Sequence, residues 1–393
     1  MKKIAIIAFF HPESSLCLAK YIAKQGYNVD FFYIVDYIRG KRYSAGFEYL
    51  KAKRNLGIHK LQYHECPEII KDTKGLPIRY HLLRLLSFSP KAWFLNKIII
   101  RNCVQAIKKE NYDAVNIVGQ HPWVEYIHDL LADLNITHTF HEVGSHQNGI
   151  MTTPLMNKVI KDKTKVILPS KSTYNRYISI PHAKTELTTI IPMGKFETLL
   201  FYERDCNLNI HVDLTKPTFL LYGFIKPYKG LDLLAKAVKV LQKDNIEFNL
   251  IIAGGGHDDN LPYFQSLSNC QVINRFISND EMMKLNRIST AVLLPYKSAS
   301  QSGIVLTTFM LGKPIIGTKV GALLETIKDE YNGLLVEKDD YEGFALAMKR
   351  IIEDKELVQK LSTGAKNFGQ DDDYDWNKIA KQTIEFLFFH HSV

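Results

Sequence analysis

Several short stretches of this 393-residue chain carry side chains suited to an anionic ligand. GFIKPYKG (223–230) closes an apolar run and offers Lys226 and Lys229 just before a helical pattern starts. A cation at a helix start opposes the helix dipole, so Lys229 is a poor choice for stability alone. YKSASQSG (296–303) follows another apolar run and precedes the helical pattern IVLTTFML (304–311). Backbone N–H groups around Ser302 and Gly303 would point from that helix start toward an anion, and Gly303 would let a phosphate approach without a Cβ in the way. AGGG (253–256) supplies a glycine turn that includes Gly254. In the first half, His11, His121 and His141 each come just after a strand-like run, which places all three on one rim of a sheet, at its carboxyl edge. His121 precedes Pro122, a residue suited to the first helical position, so helix capping is an equal reading for it.

Parallel strands and helices in alternation would position these groups. IAIIAFF (4–10) is a continuous apolar run, as expected of a strand covered on both faces, and it reads as a buried first strand rather than a signal peptide. A helical pattern closed by Gly26 and the run NVDFFYIV (28–35) complete a β-α-β unit. DAVNIV (113–118), ITHTF (136–140) and KVILP (165–169) continue the rhythm. It restarts with TFLLYG (218–223), FNLIIAG (248–254), QVINRF (271–276), TAVLLP (290–295) and KPIIGT (313–318), separated by patterns such as GLDLLAKAVKVLQK (230–243). The expected fold is α/β, with two Rossmann-like doubly wound domains facing across a cleft. The expected boundaries are 1–195, 196–370 and a final helical segment, 371–393, packing back on the first domain.

At this point four motifs in order resemble retaining glycosyltransferases of family 4, which have the GT-B fold. GFIKPYKGLDLL (223–234) resembles their Gly-Arg-x-x-x-x-Lys-Gly-x-x-x-Leu element, and LIIAGGG (250–256) the strand and glycine turn after it. Gly312-Lys313-Pro314-Ile315-Ile316 with Val320-Gly321-Ala322-Leu323-Leu324-Glu325 resembles the donor-binding signature, and NGLLVE (332–337) the turn that follows. The resemblance is strong over about 217–360 and weaker before it, where IPMGKF (191–196) is similar to an Ile-Pro-x-Gly element. It implies that Lys229 binds the donor diphosphate, with Lys226, Gly254, Ser302, Gly303, Thr307 and Glu325 on the donor side. FHEVGSH (140–146) resembles the family's segment with a histidine near sugar and acceptor, which makes His141 a catalytic candidate beside acceptor-side His11 and His121. Two positions depart from the pattern. The family's Glu-x7-Glu pair falls on Ala299 and Thr307; Thr307 retains a hydroxyl for a ribose, whereas Ala299 cannot replace a carboxylate. Phe224 stands where an arginine is usual.

The resemblance implies transfer of a sugar, with retained configuration, from a UDP- or GDP-sugar to a glycan or lipid-linked glycan in surface polysaccharide synthesis. It implies no cofactor beyond the donor and no metal. A sugar-nucleotide epimerase of the same fold, or a non-catalytic subunit binding a partner or glycan, are the alternatives. A dehydrogenase is disfavoured, because the first β-α turn has no glycine. The five scattered cysteines form no CxxC and fit a reducing cytoplasm. The net charge of +9 is uneven: residues 1–195 hold 28 Lys and Arg against 15 Asp and Glu, the remainder 22 against 26. Within the first half, residues 74–109 carry eight Lys and Arg and no acid, interleaved with Leu, Phe and Trp. That composition suits a helix pair lying on an anionic membrane surface, and no nucleic-acid motif accompanies it. A cytoplasmic protein in peripheral contact with the inner membrane face is therefore expected.

Overall fold

A computed structural model describes residues 1–9, 12–36, 55–62, 73–144, 153–202, 206–300, 303–370 and 372–389. The chain divides into two compact units, residues 1–194 with 373–393, and residues 195–372.

The first unit is built on β1 (Lys3–Phe9), β2 (Asn28–Asp36), β3 (Gly57–Lys60), β4 (Ile78–Leu85), β5 (Ala114–Val118), β6 (Ile136–Thr139), β7 (Lys165–Leu168) and β8 (Thr188–Ile190). Their order in the sheet is β3-β4-β2-β1-β5-β6-β7-β8, parallel except for β3 against β4. The central strand β1 is buried from Ile4 to Phe9, as its unbroken apolar run requires of a strand covered on both faces. Helices α1 (Pro12–Lys24), α2 (Trp93–Lys108), α3 (Pro122–Leu131), α4 (Pro154–Lys161) and α5 (Lys171–Ile178) connect the strands.

The segment 74–109 is not a pair of helices. Its first part is β4, which pairs with β2 from Val29↔Ile78 to Asp36↔Leu85; only its second part is helical. Two basic residues of β4 are not free charges on a solvated face. Arg79 donates to both oxygens of Asp30 and to Glu110, and Arg84 is buried.

The second unit contains β9 (Thr218–Tyr222), β10 (Asn249–Ala253), β11 (Cys270–Ile273), β12 (Ala291–Leu294), β13 (Ile315–Thr318) and β14 (Gly333–Val336). All neighbours are parallel, in the order β11-β10-β9-β12-β13-β14. This is the 3-2-1-4-5-6 arrangement of a dinucleotide-type sheet, and its direction reverses between β9 and β12. Helices α6 (Leu231–Lys243), α7 (Leu261–Gln265), α8 (Asn279–Ile288), α9 (Gly303–Met310), α10 (Leu323–Thr326), α11 (Tyr341–Glu353) and α12 (Lys355–Asn367) surround it. Leu234, Val238, Phe344 and Met348 from α6 and α11 fill the core over one face.

The last helix, α13 (Trp376–Phe388), belongs to the first unit. Trp376 and Ile379 pack on Cys17, Ile167 and Ile191, while Ala380, Ile384 and Leu387 join the core around β1 and β2. Lys165 donates to the carbonyls of Phe386 and Leu387, which satisfies the helix end. No described helix is long and apolar enough to cross a membrane.

Candidate active site

A ligand of an open parallel sheet binds where the strand order reverses, beyond the carboxyl ends. In the second unit that place is bounded by the segment after β9, residues 223–230, and the segment after β12, residues 295–300. Gly223 ends β9 with φ 97° and forms the floor between them. A Cβ there would lie 3.5 Å from Lys229 Nζ and 3.2 Å from the Ile304 side chain. Lys229 and the first turn of α9 therefore converge on one point.

Lys229 is the dominant charge at that point. It sits on a 3-10 turn, Pro227–Lys229, whose last N–H donates to the Lys226 carbonyl, and Gly230 follows in the left-handed region with φ 72°. The side chain is only 4% exposed. It donates to the Tyr296 hydroxyl and lies 4.3 Å from the Tyr296 ring centroid. Among the described residues no carboxylate pairs with it. Burial, with repulsion from Lys226, brings its amine down from the ordinary 10.5 to about 7. A buried cation without a counter-ion is costly, and an arriving anion relieves that cost. Lys226 itself is exposed.

The other residues expected on the donor side play different parts. The Gly254 N–H is bound to the Ile273 carbonyl at 3.0 Å, and a Cβ on Gly254 would stand 2.0 Å from Gly223 O. Its lack of a side chain is thus explained by strand packing beside the floor. Gly303 opens α9, where a Cβ would come 3.1 Å from the Phe196 ring. Thr307 is buried within α9 and donates to the Gly303 carbonyl at 3.0 Å. Glu325 lies half-buried on α10, past the carboxyl end of β13. Ala299 is buried, and its carbonyl accepts from the Ala322 N–H at 3.0 Å, which ties the loop after β12 to the Val-Gly-Ala turn. That approach requires Gly321, because a Cβ there would be 1.8 Å from Ala299 O. Ser302 lies outside the described residues, as does His11.

In the first unit, His121 and His141 follow β5 and β6 at the carboxyl edge. His121 is the N-cap of α3: its Nδ1 accepts from the Trp123 N–H at 3.2 Å, and Pro122 takes the next position. Its ring stacks on Phe9, with centroids 4.4 Å apart. Burial lowers its pKa to about 4, so the acceptor nitrogen is available at neutral pH. His141 is buried and lines a small pocket with Ser14, Ser15, Thr139, Met193 and Trp376.

Tyr296 is the residue at this point that sequence reasoning missed. Its position just after a strand-like run gave only a weak signal; its hydrogen bond to Lys229 spans 67 residues of chain. Two motif residues prove to be structural. Lys313 donates to the carbonyls of Arg287 and Ser289, both at 2.7 Å, at the end of α8. Asn332 is fully buried, accepts from the Lys328 N–H and donates to the Thr326 carbonyl.

Residues 209–368 match the family Glycosyl transferases group 1. The second unit therefore carries a group 1 glycosyltransferase domain. An uncharacterized glycosyltransferase of Methanocaldococcus jannaschii is 26% identical over 234 residues, 57% of this chain; the chain spans 59% of that relative's length. Among solved structures, sucrose-phosphate synthase from Thermosynechococcus elongatus superposes with a TM-score of 0.66 at 17% identity, covering 98% of both chains. The Anabaena protein HepE, solved in complex with UDP-glucose, superposes with a TM-score of 0.61 at 14% identity, covering 98% of this chain and 100% of HepE. The two parallel-sheet units thus have the fold of GT-B glycosyltransferases.

Proposed function

We propose that this protein is a retaining glycosyltransferase that moves a sugar from a nucleotide-diphosphate sugar to a glycan or lipid-linked glycan. The observation that carries this reading is Lys229, a buried cation with no carboxylate partner among the described residues, at the strand-order reversal of a group 1 domain. A diphosphate supplies the missing negative charge there. As the bond from the anomeric carbon to the diphosphate breaks, charge builds on the leaving phosphate. A fixed ammonium in a site poor in water stabilises that added charge more than the less negative ground-state diphosphate. The first-turn N–H groups of α9 add to it. The leaving phosphate takes the proton of the acceptor hydroxyl, which attacks the same sugar face, so configuration is retained. Charge neutralisation by Lys229 and backbone donors leaves no step that needs a metal.

In this reading the second unit holds the donor, and the first unit presents the acceptor on the rim that carries His121 and His141. UDP-glucose is the first donor to test, since HepE was solved with it, and GDP-sugars follow. A lipid-linked acceptor would be met at a membrane. The start of α2 exposes Trp93, Phe94, Leu95 and Ile98 beside Lys91 and Arg101, a face suited to an anionic bilayer. Calorimetric titration with UDP and GDP tests the donor site, and a sugar-release assay with and without acceptor tests the reaction. Failure to bind either nucleotide would refute the reading. Conversion of the donor sugar without acceptor would favour an epimerase instead.

A further inference from the structure

The hydrogen-bond partner of Lys229 has an unusual chemical character for a buried cation. It is a neutral phenol, Tyr296, itself 3% exposed. Several contacts fix that phenol relative to the lysine turn. The Lys297 N–H donates to the Tyr228 carbonyl at 2.8 Å, and the Tyr228 ring meets the Tyr296 ring edge-on at 5.7 Å. Gly230 packs so closely on the neighbouring segment that a Cβ would lie 1.7 Å from Pro295 O. Lys297 Nζ reaches Asp232 at 2.8 Å and so ties the segment to the first turn of α6. The two sides of the strand-order reversal are thereby locked together through backbone and ring contacts.

A carboxylate in the position of Tyr296 would neutralise Lys229 and compete with any incoming anion. A phenol accepts one hydrogen bond and leaves the positive charge in place. We infer that Tyr296 is the positioning residue of the anion site: it holds Lys229 Nζ beside the end of β9 without cancelling the charge that a diphosphate must meet. This rests on the proposed nucleotide-sugar reading and adds to it a regulation of the site by protons. The groups facing the amine are Lys226 and Tyr228 from its own turn and Tyr296 from the segment after β12, while Lys297 and Asp232 of the neighbouring segments are paired with each other. Gly223 and Ile304 contribute nothing titratable. With burial bringing the amine to about 7, the empty site is partly uncharged at neutral pH. Diphosphate binding then draws a proton onto Lys229, because a nearby dianion favours the ammonium.

The test is calorimetric titration of the full chain with UDP and GDP at pH 6, 7.5 and 9, in two buffers of different ionisation enthalpy. Wild type should take up roughly three-quarters of a proton at pH 7.5, and its affinity should fall up to about tenfold for each pH unit above 7. Lys229→Met should bind weakly and show no such uptake. Tyr296→Phe keeps the ring and removes the acceptor, so the ammonium becomes harder to form. Its affinity should drop about tenfold at pH 7.5, less at pH 6, with greater proton uptake. Tyr296→His, which restores an acceptor, should recover part of the loss and provides the comparison if the phenylalanine variant does not fold. Wild-type affinity and pH profile in both Tyr296 variants would overturn the assignment while leaving the donor site intact. No binding of either nucleotide by wild type at any pH would overturn the nucleotide-sugar reading itself.

Discussion

Replacing Lys229 by methionine should make the empty protein more stable. Its amine falls from the usual 10.5 to about 7 on folding, chiefly through burial and secondarily through Lys226. At about 1.4 kcal/mol for each pH unit, holding the ammonium in the folded protein at pH 6 costs about 5 kcal/mol. A methionine of similar length avoids that cost and gives up one hydrogen bond to Tyr296, worth about 1–2 kcal/mol. The net expectation is a gain of about 3 kcal/mol at pH 6. The sign of the pH dependence follows from the lowered pKa. Between about 7 and 10.5 the unfolded chain binds more protons than the folded one, so wild-type stability rises with pH through that window. The variant lacks this rise, and the two curves should converge toward pH 10.

Urea denaturation at several pH values measures the difference, and added UDP identifies which transition belongs to the second unit. Saturating nucleotide should reverse the order of stability: at about one thousand times the dissociation constant, wild type gains about 4.1 kcal/mol and the variant almost nothing. A Lys229→Met protein less stable than wild type at pH 6 would refute the reasoning. It would mean that the lysine is a satisfied structural group rather than an uncompensated charge kept for a ligand.

Other expectations follow from individual contacts. Gly303→Ala should fold normally, whereas Gly303→Val must displace the Phe196 ring and should cost about 1–3 kcal/mol by thermal denaturation, with weaker UDP binding. Asp30 is buried, which pushes its carboxyl up, but hydrogen bonds from His81, Arg79 and Tyr112 outweigh this and hold it well below the usual range. Asp30→Asn should therefore cost about 3 kcal/mol at pH 7, and urea titration should show the gap from wild type closing as pH falls below about 4. On α2 and the turn before it, Lys91→Glu, Lys97→Glu and Arg101→Glu together with Phe94→Ser should abolish co-sedimentation with anionic vesicles and leave the fold intact; equal binding of wild type to neutral vesicles would sink the membrane contact. Charge reversal at buried Arg84 should instead disrupt the first unit.

Strands covered on both faces were legible because burial on two sides leaves an unbroken apolar run, as in β1, β9 and β10. β4 was not, because IRYHLLRL mixes Arg79, His81 and Arg84 with its leucines. Their partners lie far away in sequence: Arg79 meets Asp30 across 49 residues. No local period reports such a pairing, so the basic content drew attention to a surface instead. The short edge strands β3 and β8 carry too few residues for a pattern. At the site, Lys229 was legible because strand, turn and helix follow one another directly. The cap role of His121 was legible from Pro122. Tyr296 was not, since its meaning depends on two segments meeting at the strand-order reversal.

The motif residues also differ in what they contribute once their contacts are known. Gly254 and Gly321 allow backbones to approach within distances that no Cβ would permit. Lys313 and Asn332 satisfy carbonyl and N–H groups at helix and turn ends. Each of these has a sufficient structural reason in its own surroundings. Lys229 has none: its burial is unfavourable, its position at a helix start opposes the dipole, and its partner leaves its charge uncancelled. A fold assembled so tightly around an unfavourable charge needs a compensating event, and the arrival of an anion is the one that this geometry admits. The surrounding motif then acts as scaffold, with rigid turns that stop the lysine from escaping to solvent. Loosening that scaffold, as Gly230→Ala would against the Pro295 carbonyl, should weaken diphosphate binding without touching any group that contacts the ligand.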